Sequence, residues 1–239
     1  MHRSLRFRIE HGFTLIELLV VMAITAVMAT LIGPAIGSFN KANGLSHAAS
    51  EISGMLEQAR AYAMGKNTYV YVGLQEVDAL APTSADGVGR LVVAMVASLD
   101  GTRPYTSLTD TPSISTNIGV IDKIHSFDNV HLVDASRLTN GANMTNRPAV
   151  SVDLAVTAAT TTFQWPLSGT PKYRFSKVIE FNPQGVARVQ TDTVYKASVS
   201  GYIEIPLLPT QGNVAIASSP NQAAIQVDSI TGAVRLYRP

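Results

Sequence analysis

There is no cysteine among the 239 residues. That excludes disulfide scaffolds, thiolate zinc sites, iron–sulfur clusters and cysteine nucleophiles, and it suits any redox compartment. Charge is scarce: 15% of residues are Asp, Glu, Lys or Arg, against about 25% in an ordinary globular chain. Ser, Thr, Asn and Gln fill the difference. Neither sign dominates. A formal net charge of +1 excludes the simplest electrostatic nucleic-acid binder, which carries a strong basic excess. Catalytic signatures are missing as well. There is no G-x-S-x-G elbow, P-loop or G-x-G-x-x-G. Asp86-Gly87-Val88-Gly89 is too short to cradle a phosphate and reads as a turn. His47, His125 and His131 have no partner at metal-ligand spacing such as HExxH. Asn143-Met144-Thr145 is a glycosylation sequon in form only. The expectation is a chain with no catalytic residues, no metal and no cofactor.

What is present is concentrated at the N-terminus. Residues 1–12 hold Arg3, Arg6, Arg8 and Glu10, and the stretch from Phe13 to Ile36 contains one charge, Glu17. At 1.5 Å rise per residue those 24 residues make a helix of about 36 Å, enough for a hydrocarbon core of about 30 Å. The arginines ahead of it predict a cytoplasmic N-terminus with the rest of the chain outside. The bland alternative is a secretory signal peptide. Against it, the apolar run is too long, a carboxylate sits near its start, and the pattern continues into an amphipathic helix without a small-residue cleavage site. A plain anchor accounts for the length but not for Glu17, because a charge inside a spanning helix is costly and marks function.

Gly12-Phe13-Thr14-Leu15-Ile16-Glu17 resembles the N-terminus of type IV pilins and type II secretion pseudopilins. The resemblance covers residues 12 to about 36. It implies cleavage between Gly12 and Phe13 by a membrane-embedded prepilin peptidase, which also N-methylates the new N-terminus. It also implies an assembly role for Glu17, paired with the freed amine of a neighbouring subunit. Gly12 lacks a side chain, so a peptidase can approach its backbone closely. The cut takes three of the 18 basic residues and one of the 17 acidic ones, leaving a net charge of −1. Ala23, Ala26, Ala29 and Gly33 let helices approach closely. Gly33 and Pro34 are expected to kink the helix, since proline removes a backbone donor.

Residues 45–66 return to helical periodicity. Leu45, Ala48, Ala49, Ile52, Met55, Leu56, Ala59, Tyr62 and Ala63 recur at spacings of three and four, which predicts an apolar face laid on a globular domain. From residue 68 onward the pattern is β: candidate strands are 68–74, 90–98, 129–134, 149–156, 162–165, 177–182, 187–190, 202–206, 223–227 and 233–237. Their spacing predicts antiparallel sheets. Residues 75–89, 100–122 and 135–148 read as long polar loops, the expected place for any specific recognition. The segment around Arg60, the run Phe181-Asn182-Pro183-Gln184-Gly185 and the closing hairpin with Thr231-Gly232 at its turn resemble the type II secretion H-protein and FimT-like minor pilins. Arg60 matches an arginine of that group, and the alternative for it is a plain surface charge.

The expected fold is α+β, a long N-terminal α-helix, its first half membrane-spanning, packed on a C-terminal antiparallel β-sheet domain. The expected divisions are leader 1–12, transmembrane or filament-core helix 13–37, outer helix 38–66 and extracytoplasmic β-rich domain 67–239. The resemblance implies a minor, structural subunit of a pseudopilus or type IV pilus-like filament, held in the inner membrane with its C-terminal domain periplasmic. Its partners would be prepilin peptidase, other pilin or pseudopilin subunits, the inner-membrane assembly platform and membrane lipid. Two alternatives stay open: a DNA-binding minor pilin for DNA uptake, and a membrane-anchored secreted domain that borrows a pilin-type leader. For DNA capture the FimT-like resemblance points to Arg235 and Arg238. Strand alternation puts those two on opposite faces, and two phosphate contacts bind weakly, so nucleic acid is disfavoured as a partner.

Overall fold

The computed structural model describes residues 14–81, 84–103, 117–139, 141–157, 162–189, 201–217 and 219–239, and of helix residues 30–43 it describes the backbone alone. The chain divides into two units, Met1–Asn40 and Lys41–Pro239, each treated by itself. Helix α1 runs Leu15–Lys66. In the first unit, residues 14–29 are all exposed. Thr25 turns its hydroxyl back onto the carbonyls of Val21 and Met22, at 2.9 and 3.0 Å, so its polar group is satisfied inside the helix. Among the described residues no helix is long and apolar enough to cross a membrane. The expected span over 13–37 includes Phe13 and side chains of 30–37, which lie outside them.

The second unit is a sheet with α1 against it. The strands are β1 (Val70–Asp78), β2 (Gly89–Ser98), β3 (Ile118–Val120), β4 (His125–Leu132), β5 (Val150–Asp153), β6 (Phe163–Trp165), β7 (Tyr173–Phe175), β8 (Lys177–Phe181), β9 (Ala187–Arg188), β10 (Tyr202–Gln211), β11 (Val214–Ala215), β12 (Ala223–Asp228) and β13 (Val234–Tyr237). A 3₁₀ turn, Ala135–Arg137, and a short helix α2, Ala142–Thr145, lie between β4 and β5. The main sheet runs β13-β12-β10-β4-β2-β1-β8-β9, with β3 on β2 and both β5 and β11 on β10, and β6 and β7 pair separately. All pairings are antiparallel except β5 with β10, which is parallel. The expected antiparallel sheets are found, with this one parallel pair: β5 and β10 are separated by residues 154–201, chain enough for the crossover that a parallel pair needs.

The apolar stripe of α1 is the buried one. Leu45, Ala48, Ala49, Ile52, Met55, Leu56, Ala59 and Ala63 are all buried, in one core with β1, β2, β8, β10 and β12. Tyr62 is half-buried beside it. In β1 and β2 nearly every residue is buried, which requires cover on both faces of the sheet. The second cover is the β6–β7 hairpin. Phe163 and Phe175 stack at 4.8 Å, and both lie where a side chain on Gly73 would point, 2.6 and 2.7 Å from its would-be Cβ. Glycine at residue 73 is what lets the hairpin reach the sheet. Gln75, two residues along the same face, accepts from the Arg174 amide at 2.7 Å.

Several elements differ from the sequence pattern, each for a physical reason. Strand β10 continues through Pro206 and Pro209, where the sequence pattern predicts an end at 206. Proline lacks a ladder donor, yet both prolines sit at junctions between partners. Pro206 falls between the β5 and β4 pairings and Pro209 past the β12 pairing, and their carbonyls accept from Val133 at 3.1 Å and Ile216 at 3.0 Å. The presumed loops carry structure: β1 extends to Asp78, β3 lies within 100–122, and the 3₁₀ turn and α2 occupy 135–148.

Two buried ion pairs pin those segments to the sheet. Arg147 forks onto Glu204, Nε to Oε2 at 2.9 Å and Nη2 to Oε1 at 3.1 Å, and also donates to the carbonyls of Ala135, Leu138 and Met144. Gln226 donates to the same carboxylate at 2.7 Å. Arg103 pairs with Glu180 and lies over the Tyr69 ring. Burial pushes the Glu180 carboxyl up, against the pull of Arg103 and Arg188.

Candidate assembly site

Two clusters of sequence-singled residues can be located, one in each unit. At the start of α1, Thr14 and Glu17 satisfy each other. The Thr14 amide donates to Glu17 Oε2 at 2.9 Å, the Thr14 hydroxyl donates to the same oxygen at 2.8 Å, and the Glu17 amide donates to Thr14 Oγ1 at 3.3 Å. The first helical bond runs from the Leu18 amide to the Thr14 carbonyl at 3.2 Å. This is a capping box: an N-cap Thr and a Glu three residues on pair two of the amides that a helix start leaves without partners. Thr14-Leu15-Ile16-Glu17 carries the T-x-x-E signature in plain view, a signal that attention to Glu17 as an assembly residue passes over. The box places the helix start immediately after the expected cut. Gly12 and Phe13 themselves lie outside the described residues. At Gly33 and Pro34 the backbone lies within the single helix α1, Leu15–Lys66.

The second cluster forms in the globular unit and gathers Arg60, the turn after Phe181 and the turn at Thr231-Gly232. Gly185 (φ +79°) and Gly232 (φ +66°) take left-handed conformations that favour glycine. Asn182 builds the first turn: its Oδ1 accepts from the amides of Gln184 and Val186, at 3.0 and 2.9 Å. Asp228 builds the second, its carboxylate accepting from the Ile230 and Thr231 amides at 2.9 and 3.3 Å. Burial would raise the Asp228 carboxyl, but those bonds outweigh it and hold it below the usual range. The turns abut, because a Cβ on Gly232 would overlap the Gly185 carbonyl. The Arg60 stem crosses both, with Nε 3.3 Å from the would-be Cβ of Gly185 and 3.0 Å from that of Gly232. Among the described residues, Arg60 Nε is buried without a hydrogen-bond partner. Residues about 125 and 170 positions downstream thus meet one helix residue, a convergence that spacing along the chain does not reveal.

Arg235 is exposed on β13, opposite Gln226. Arg238 turns to α1 instead, with Nη1 3.0 Å from Ser46 Oγ and Nη2 2.8 Å from the Ser46 carbonyl. The two arginines form no common face. His125 ties β4 to α1, its ring nitrogens 2.6 Å from Glu51 and 3.2 Å from Asp122, and His131 meets Glu76 at 2.8 Å. Among the described residues no group of three or more His, Asp or Glu is placed to hold a metal.

Residues 7–33 match the prokaryotic N-terminal methylation motif. The chain therefore carries a type IV pilin-like leader, which implies processing by prepilin peptidase and assembly with other pilins. No curated protein and no solved structure matches the chain.

Proposed function

We propose that the chain is a minor, H-protein- or FimT-like pilin subunit of a type II secretion pseudopilus or type IV pilus-like filament, with a structural rather than an enzymatic role. It is cut after Gly12, methylated on Phe13, and held by residues 13–37 in the inner membrane with the globular unit outside. The assembly platform then draws it into the filament beside other pilins. The observation that carries this reading is the methylation motif over 7–33 meeting a helix that starts on a Thr14–Glu17 box, two residues past the cut. DNA capture loses support from Arg238, whose guanidinium is engaged on Ser46. Shearing filaments from cells tests the reading. The processed chain is expected in the sheared fraction, and only when prepilin peptidase is active. A chain found solely in membranes or medium would make it a secreted domain that borrows the leader.

A further inference from the structure

Two polar ties fasten residues 46–51 of α1 to the sheet, and they differ in kind. From the end of β13, Arg238 reaches Ser46 through both Nη groups. A guanidinium does not lose its charge in a protein, so this tie is permanent. From β4, His125 reaches Glu51 with Nδ1 at 2.6 Å, while its Nε2 lies 3.2 Å from Asp122. Both ring nitrogens therefore face carboxylate oxygens, which only accept. A neutral imidazole has one N–H and serves one of them, leaving a bare nitrogen against the other; an imidazolium serves both. Asp122 is there as a carboxylate. Burial pushes its carboxyl up, but the bonds from the Lys123 amide and from His125 outweigh that and hold it below the usual range.

The charges around the ring call for the same state. Glu51 comes from α1, and His47, exposed on the same helix, sits with Nδ1 3.4 Å from its other oxygen. Asp122 comes from the segment before β4, where Lys123 adds a weaker attraction. Asp128 of β4 lines the same surface pocket as His47, Glu51 and His125, and it is paired with Arg90 of β2. Opposite His125 on β2 stands the apolar Val93. With Asp128 answered by Arg90, the histidines are left to answer Glu51 and Asp122.

We propose that His125, as an imidazolium, is a pH-operated clasp that holds residues 44–51 of α1 on β4 and lets them loosen when the ring gives up its second proton. The Arg238 tie remains, so the release is local and the core stays folded. An ordinary histidine exchanges that proton near pH 6.5. The stability that the clasp adds is present below that value and lost as pH rises past it. The hold of the globular unit on α1 thus follows the acidity of the surroundings.

Hydrogen exchange of the full-length chain in detergent micelles tests this on peptides covering residues 44–52, with rates corrected for the intrinsic pH dependence of exchange. Protection is expected to fall at least about five-fold between about pH 5.5 and about pH 8, the scale of one charge-assisted bond lost from a local opening. Peptides from β1 and β12 are expected to change less than about two-fold. His125→Gln, uncharged at both values, should flatten the response, and His47→Gln should keep most of it. If His125→Gln does not fold, Glu51→Gln breaks the same tie from the helix side and should flatten it too. Should neither fold, the wild-type response and its confinement to 44–52 decide. A wild-type change under about two-fold, a change spread equally over the strands, or one retained in a folded His125→Gln or Glu51→Gln overturns the proposal. So does a response that vanishes in His47→Gln, or in His131→Gln, whose ring meets Glu76 of β1 instead.

Discussion

Glu17 answers two demands with one carboxylate. In the chain by itself it closes the capping box on Thr14, and in the filament proposed above the same group would meet a neighbour's amine. Glutamine separates the two, because it serves in a capping box but carries no charge. Glu17→Gln is expected to be cut and inserted normally yet to enter filaments poorly, and Glu17→Val is expected to lose both roles. Counting each variant in sheared filaments against its processed total checks this, and wild-type incorporation of Glu17→Gln would reduce Glu17 to a helix cap. The Arg147–Glu204 pair sets a second test at this scale. Glu204 is fully buried, so Arg147→Ala leaves a carboxylate in the core with Gln226 as its remaining side-chain donor. Removing one member of such a pair costs about 3–5 kcal/mol, expected as a lowered denaturation midpoint with the slope unchanged. The capping box was legible in four consecutive letters. The pair was not, since its members stand 57 positions apart and each reads alone as a loop arginine and a strand glutamate.

Helical periodicity carried the element that buries one face, and apolar runs carried the strands that are buried on two. The α1 stripe from Leu45 to Ala63 could be read residue by residue, because a helix on a sheet needs spacings of three and four. Strands β1, β2, β8 and β12 announced themselves as apolar runs. The three-residue strands β3 and β7 and the prolines of β10 did not, because their pairing depends on what lies beside them rather than on their own composition. The β6–β7 hairpin is an instance with a direct test. Gly73→Val would drive a branched side chain into Phe163 and Phe175, and overpacking of this kind costs about 1–3 kcal/mol. The sole tryptophan, Trp165, lies on β6, so lifting of the hairpin should appear as a red shift and easier quenching of its fluorescence. The turn after β2 supplies a pH-dependent case. The Asp100 carboxylate accepts from the Thr102 amide and hydroxyl and from Ser98, which lowers its pKa to about 2. An unfolded aspartate titrates near 3.9, so the folded value is the depressed one. The contribution is therefore present above about pH 4 and lost as pH falls through about 2. The stability gap between wild type and Asp100→Asn should narrow over that interval, and a carboxyl titration by NMR should place the Asp100 midpoint near 2.

For the molecule as a whole, sequence and structure divide the work unevenly. The α+β class, the helix face and the leader are properties of local pattern, and all three could be read before any fold was known. The Arg60 node and the two loop clamps are properties of tertiary contact, between residues that carry no mark of each other along the chain. The proposed function nevertheless rests on the local part, the leader over 7–33 and the expected cut between Gly12 and Phe13. N-terminal sequencing with intact mass of the chain isolated from its native membrane tests this most directly. The expected result is an N-terminus at Phe13 carrying a single added methyl group, lost when prepilin peptidase is inactive. An N-terminus between Ala29 and Ser38, the product of an ordinary signal peptidase, would contradict it.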